Sequence, residues 1–296
     1  MVQYAKTEMV DELKKIWLSG FPKDAEYVEL FFQYYFTPKC CAIFRNKKEI
    51  ETALYYLTAY VTINGKEKPV MYLYAASTLP QYAGKGNTSA LVRFLINDAL
   101  INDFCGVAAY TLPSTKNIMA KENTYPSVFL QEIQYSVNDA AVTIRQGNLL
   151  QLEECEFALF KQLRSKYVDD KPYSIYWKDR ELELIYRDCN DSGNVLMVRE
   201  EGLSGQICKE YYAVIAKKEE GLLIRETDYP KSDCMRLVCS VADYYNYRGL
   251  VKLHAREDEK VNMEDAVKQS RVYMASVSIF GTQEKEDRFY FNLLAI

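Results

Sequence analysis

Histidine is nearly absent from this chain, with one residue, His254, among 296. A zinc site built on histidines is therefore not expected, and no metal is assigned. The eight cysteines form no C-x-x-C pair. Only Cys40 and Cys41 adjoin, and adjacent cysteines do not easily bridge, so reduced thiols in apolar surroundings are expected. Positive charge is not in excess, because 37 Lys and Arg stand against 41 Asp and Glu for a formal net charge of -4. The signs are mixed along the chain, which argues against the basic stripe of a nucleic-acid-binding surface. No apolar run approaches the ~18 residues of a membrane helix. Acidic Glu8, Asp11 and Glu12 interrupt any apolar core of a signal peptide. The expectation is a cytoplasmic protein with neither nucleic acid nor membrane as partner.

What the chain does have is apolar material, 49% of its residues, and length enough for two domains of the usual ~100 to 150 residues. Met9, Val10, Leu13, Ile16 and Trp17 recur at helical spacing and predict a helix over 7–20; a second is predicted over 24–36 with Asp24 as N-cap. Strands at 40–44, 53–63 and 70–76, joined through 45–48 and the hairpin signal Asn64-Gly65, predict an antiparallel meander. Leu91, Val92, Leu95, Ile96 and Ala99 mark one face of a helix, and 106–112 reads as another uncharged strand. The second half repeats this outline: a helix at 149–167, strands at 194–199, 210–216 and 221–225, a helix at 232–245 and a strand at 250–255. The fold class is α+β.

The chemistry concentrates in Leu79-Pro80-Gln81-Tyr82-Ala83-Gly84-Lys85-Gly86-Asn87-Thr88-Ser89, which joins a buried strand to a helix. Gly84 and Gly86 allow positive φ and leave the backbone open to a close ligand. Free amides at a helix N-terminus, with Lys85 as an added cation, suit a pyrophosphate. A Walker A loop needs Ser or Thr directly after the Lys, where Gly86 stands, and a dinucleotide fingerprint needs glycine at Ser89.

In spacing, this segment resembles motif A of the GNAT-superfamily acyltransferases: Pro80, Gly84, Gly86 and Ser89-Ala90-Leu91 fit in register, while the expected Arg falls on Ala83 and the last small residue on Thr88. The element order around the turn resembles that family too. The resemblance implies tandem GNAT-like domains, 1–136 and 137–296, each a mixed, mostly antiparallel sheet flanked by helices. It implies an N-acetyltransferase that uses acetyl-CoA or another acyl-CoA as co-substrate and a small-molecule amine as acceptor; the alternative, suggested by Ala83, Thr88 and Met119, is a non-catalytic acyl-CoA-binding or structural interaction protein with a degenerate site. The cofactor would be held by Thr78, Leu79, Gly84, Lys85, Gly86, Asn87, Thr88 and Ser89, with a backbone amide at Thr78 or Leu79 polarising the thioester carbonyl. The family's general-acid Tyr position falls on Met119, which leaves Tyr110 and Tyr125 as substitutes.

The pairing of halves resembles the tandem acetyltransferases of the enhanced-intracellular-survival type, without their sterol-carrier-like domain. In those proteins the chain-end carboxylate serves as a base, which here would be that of Ile296; an ordinary last strand is the alternative. The turn at 226–231 lacks glycine and carries Glu226 and Asp228, so the second half is expected to bind no nucleotide-like cofactor. Phe31, Phe32, Tyr34, Tyr35 and Phe36 read either as core or as an aromatic wall for a cationic acceptor. His254, on a predicted strand, reads as structural.

Overall fold

The computed structural model describes residues 1–110, 127–145, 148–169, 171, 174–201, 206–280 and 290–291. Tyr125, Met119 and Ile296 lie outside the described residues. The chain forms two compact units: Met1–Val128, Tyr173–Leu184 and Ala275–Ile296 in unit 1, and Phe129–Pro172 and Ile185–Met274 in unit 2.

Unit 1 begins with β1 (Val2–Tyr4), α1 (Val10–Gly20) and α2 (Ala25–Leu30). There follow β2 (Cys41–Arg45), β3 (Ile50–Ile63), β4 (Lys66–Thr78), α3 (Asn87–Ile101) and β5 (Gly106–Ala109). The strands β1 to β4 pair antiparallel in sequence order, whereas β4 and β5 run parallel because a whole helix separates them. Asn64 and Gly65 both take positive φ at the tip of the β3–β4 hairpin, the geometry that a tight two-residue turn demands. The apolar stripe of α3, Leu91, Val92, Leu95 and Ala99, packs on Leu54, Met71, Leu73, Val107 and Ala109.

On α1 the buried residues are Leu13, Ile16 and Trp17. Trp17 sits in an aromatic cluster with Phe31, Tyr55 and Tyr74, at ring separations of 4.9, 4.7 and 5.6 Å. Asp24 precedes α2 as expected, yet its side chain does not cap the helix. Its carboxylate instead accepts the Trp17 indole N–H at 3.3 Å, a partner that burial of the indole requires. Beyond Leu30 the helix continues in π geometry through Phe31–Tyr35.

The chain continues with β6 (Ser127–Val137), α4 (Asp139–Arg145), β7 (Gln151–Glu154), α5 (Phe157–Asp169), β8 (Ser174–Tyr176) and α6 (Asp179–Ser192). Then come β9 (Gly193–Glu201), β10 (Ile207–Lys218), β11 (Gly221–Thr227), α7 (Cys234–Tyr244), β12 (Gly249–Arg256), β13 (Ala266–Ile279) and β14 (Tyr290–Phe291). Of these, β8 returns to unit 1 and pairs with the far half of β3 through Tyr60↔Tyr176 and Val61↔Ile175. The end of β13 lies antiparallel to β5, Ser276↔Ala109 to Ile279↔Gly106.

Unit 2 holds the order β6-β12-β11-β10-β9-β7, with β11 and β12 parallel and the other neighbours antiparallel. Leu237, Val238 and Val241 of α7 pack on Ile215, Leu222, Ile224, Val251 and Leu253. The helix expected over 149–167 is shorter at its start. Residues 151–154 form β7 against β9, and the Cys155 amide donates to the Val195 carbonyl, so pairing with an open strand edge overrides the helical pattern there. The helix α6 and strands β6, β8 and β13 were not legible as elements. In α6 the signal exists, because Leu182, Ile185 and Cys189 are buried at helical spacing.

Candidate functional site

The site grows from one divergence in unit 1. Pairing of β4 with β5 runs from Val70↔Gly106 to Leu73↔Ala109 and stops, while β4 runs on to Thr78. At the point of divergence Ala75 takes φ 47 and the β3–β4 register shifts between Ala53 and Tyr55. A non-glycine residue in that region marks a bulge that bends the strand. Ala76 and Tyr110, the residue after β5, are exposed beside the opening.

Strand alternation then fixes where the backbone points. The Leu79 amide donates to the Glu51 carbonyl at 3.0 Å, so Leu79 is engaged with β3. Thr78 opposes Thr52 one position earlier, and its N–H therefore turns away from β3, toward the side from which β5 has parted. Of the two amides named by sequence, only that of Thr78 faces the opening. The Thr78 hydroxyl lies 3.1 Å from that of Thr52 and 3.3 Å from that of Thr88, linking the strand end to the first turn of α3.

Beyond Thr78 a single 3₁₀ turn, Pro80–Tyr82, leads into Gly84 (φ 76) and Gly86 (φ 80). A Cβ at either glycine would meet nothing within 4 Å, so it is the left-handed conformation and not crowding that calls for glycine. Gly86 stands at the N-cap of α3 without a side-chain cap. The first intrahelical bond runs from Ala90 to the Gly86 carbonyl, which leaves the amides of Asn87, Thr88 and Ser89 without intrahelical acceptors. Lys85 is exposed, and its ammonium sits 4.6 Å from the Tyr82 ring centroid.

The underside of this turn is a network the sequence did not disclose. Glu51, buried on β3, accepts the amide groups of Asn46 at 2.9 Å and Asn87 at 2.7 Å. The Tyr82 hydroxyl donates to Glu49 at 2.8 Å and accepts from Asn46 at 3.2 Å. Asn87, expected to contribute its backbone amide, uses its side chain as an internal tie.

Of the aromatic run, Phe31 is fully buried and Tyr35 nearly so, while Tyr34 is exposed. The Tyr35 hydroxyl donates to Glu181 at 3.1 Å, and the Arg180 guanidinium donates to the Tyr34 and Tyr35 carbonyls at 2.7 and 2.6 Å. Burial raises the Glu181 carboxyl above its ordinary range. His254, in unit 2, pairs with Glu132 at 3.3 Å in a buried setting, and its hydrogen bond holds the Glu132 carboxyl down at about 2. All eight cysteines are free thiols. Among the described residues no group of three metal-ligating side chains gathers, and no helix is long and apolar enough to cross a membrane.

Unit 2 repeats the divergence and closes it. Pairing of β11 with β12 ends at Ile224↔Leu253, while the strands run on to Thr227 and Arg256. Arg164 and Glu226 form a fully buried ion pair there, Nε to Oε1 2.7 Å, joined by the Tyr212 hydroxyl at 2.8 Å. The following turn uses its own amides: Tyr229 donates to the Thr227 hydroxyl and Asp233 to the Pro230 carbonyl. Where unit 1 leaves an open turn, the ammonium of buried Lys231 bonds the carbonyls of Thr227 and Tyr229 at 2.7 and 3.2 Å.

No protein-family model and no curated protein sequence matches the chain. Solved structures do match. A conserved protein from Enterococcus faecalis V583, described as a probable N-acyltransferase, is 11% identical with a TM-score of 0.70, covering 94% of this chain and 72% of that one. A GCN5-related N-acetyltransferase from Kribbella flavida is 10% identical, with TM-score 0.67 and coverage of 94% and 70%. Eis1 from Mycobacterium abscessus is 9% identical, with TM-score 0.61 and coverage of 94% and 73%. At such identities the likeness is one of fold.

Proposed function

Starting from a GCN5-related N-acetyltransferase fold, we propose that unit 1 binds an acyl-CoA, acetyl-CoA in the simplest case, and transfers the acyl group to a small-molecule amine. One observation carries this reading: the open amide turn and the divergence of β4 from β5 lie at the same strand end, so a ligand phosphate on the turn and a thioester in the opening are within one molecule's reach. The pyrophosphate would rest on the amides of Gly84 to Ser89, with the α3 dipole and Lys85 adding positive potential. The second unit is then the degenerate repeat of the first.

In the reaction the neutral amine attacks the thioester carbonyl, an N–C bond forms, and the C–S bond breaks as coenzyme A leaves. The Thr78 N–H would stabilise the oxyanion, a contribution of about 10²- to 10³-fold when one such donor is lost elsewhere. The departing thiolate needs a proton, for which Tyr110 is the described candidate and Tyr125 the one outside the described residues. The Ile296 carboxylate remains a proposal for the base that takes the amine proton.

Coenzyme A release measured against a panel of amines tests the reading. Turnover with at least one amine supports it. Tight acyl-CoA binding with no turnover on any amine would mark unit 1 as a binding module.

A further inference from the structure

We propose that unit 2 carries a binding site of its own, for a small organic phosphate, in a cleft of about 530 Å³ at the C-terminal end of β11. The cleft is walled by the last turns of α5, the start of β10, the turn after β11 and the loop after β12. In topology it stands where unit 1 has its glycine turn. The inference concerns a different unit from the acyl-transfer reading and does not depend on it.

The charge around the cleft carries the argument. Lys166, Lys171, Lys231 and Lys260 line it, against Glu210, Asp228 and Glu259. The two glutamates are already matched. Glu259 is held by Lys171 at 3.3 Å and by the Tyr167 hydroxyl at 3.3 Å, and Glu210 by the Arg199 guanidinium at 3.1 Å. Lys166 and Lys260 are exposed and have no ion-pair partner among the described residues. Lys231 is 9% exposed. An ammonium has three donors, and two of them are spent on the Thr227 and Tyr229 carbonyls. The ammonium also lies 5.8 Å from the Tyr167 ring centroid, and Tyr167 is itself part of the cleft wall. Asp228 forms no direct ion pair among the described residues; it accepts the Tyr212 amide at 2.7 Å and feels the nearby Lys231 charge. Burial pushes its carboxyl up to about 6.

The two acidic residues of this turn therefore repel an anion less than their presence in the sequence implies. Glu226 is neutralised inside the fold by Arg164, and half-buried Asp228 is partly protonated just below neutrality. Lysines act as point charges that suit a phosphate dianion. The volume exceeds that of a bare phosphate and falls in the range of small-molecule sites, with Leu163 and Tyr211 offering apolar wall. Coenzyme A is not the expected occupant, because the turn lacks glycine and bonds its Tyr229 and Asp233 amides internally, offering side-chain cations in their place.

Titration calorimetry on the full chain, kept saturated with coenzyme A and repeated with Gly86→Asp, tests this, with phenyl phosphate as probe and citrate as the rival anion. Phenyl phosphate should bind in both settings and weaken as salt rises. Lys166→Ala combined with Lys260→Ala, two surface changes that leave the core intact, should weaken it by about tenfold or more. Lys217→Ala combined with Lys218→Ala, lysines on β10 outside the cleft, should leave it unchanged. Three results would overturn the proposal: no phenyl phosphate binding up to about 10 mM, equal binding by the Lys166/Lys260 variant, or binding of citrate in its place.

Discussion

Asn87 and Glu51 meet at 2.7 Å with both side chains buried, and this bond ties the first residue of α3 to the strand beside β4. The Glu51 carbonyl receives the Leu79 amide at 3.0 Å, so one residue fixes both ends of the open turn. Its charge is shared with Asn46, which lets a carboxylate sit beneath a site proposed for anions.

Replacing Glu51 with Gln sets an amide N–H₂ against a donor of Asn46 or Asn87. Leaving a buried donor unsatisfied costs about 1–3 kcal/mol, and urea denaturation should show a loss of that size. Acyl-CoA affinity should fall with it, because the turn loses its anchor. Calorimetry with unchanged affinity would mean the turn holds its shape without Glu51.

Gly86→Asp should abolish coenzyme A binding, since it places a carboxylate at the N-terminus of α3, among the amides proposed for the pyrophosphate. Gly86→Asn is the control. Asparagine tolerates the left-handed conformation and carries no charge, so it should retain most of the affinity. If both variants bind coenzyme A as the parent does, the pyrophosphate rests elsewhere.

Thr78→Pro deletes the amide assigned to the oxyanion while leaving the β3 ladder intact, because that N–H takes no part in it. The expected result is a kcat lower by about 10²- to 10³-fold with coenzyme A affinity preserved. Thr78→Val, which removes only the hydroxyl contacts to Thr52 and Thr88, should retain most of the activity. An active proline variant would refute the assignment.

The Asp228 carboxyl is raised from 3.8 to about 6 by burial. Between those values the native state keeps a proton that the unfolded state has lost, so this residue's contribution to stability declines as pH rises through that window. By about pH 7 the cost approaches 3 kcal/mol at most. Asp228→Asn keeps an acceptor oxygen for the Tyr212 amide and removes the charge. It should be more stable than the parent near pH 7.5, with the difference shrinking as pH falls toward 4. A pH-independent difference in denaturation midpoint would contradict the burial account.

The local chemistry of the chain was written in its sequence. Asn64-Gly65 and Gly84-x-Gly86 announced positive φ because only such residues adopt it cheaply. The stripe of α3 and the meander before it followed from periods of 3.6 and 2, and the recurrence of meander, helix and strand in the second half was legible for the same reason. What only the tertiary structure decided depends on residues far apart in the chain. The β4–β5 divergence needs the bulge at Ala75, an alanine that no local signal marks. Glu51, one acidic residue among 41 Asp and Glu, becomes the anchor of the turn only because Asn46 and Asn87 are brought to it. The return of 173–184 to unit 1 arises from pairing with β3 across more than a hundred residues of chain. In unit 2, composition disclosed two carboxylates in the turn, but only packing showed Glu226 neutralised by Arg164. Burial and pairing reassign charge, and the linear chain does not carry that information.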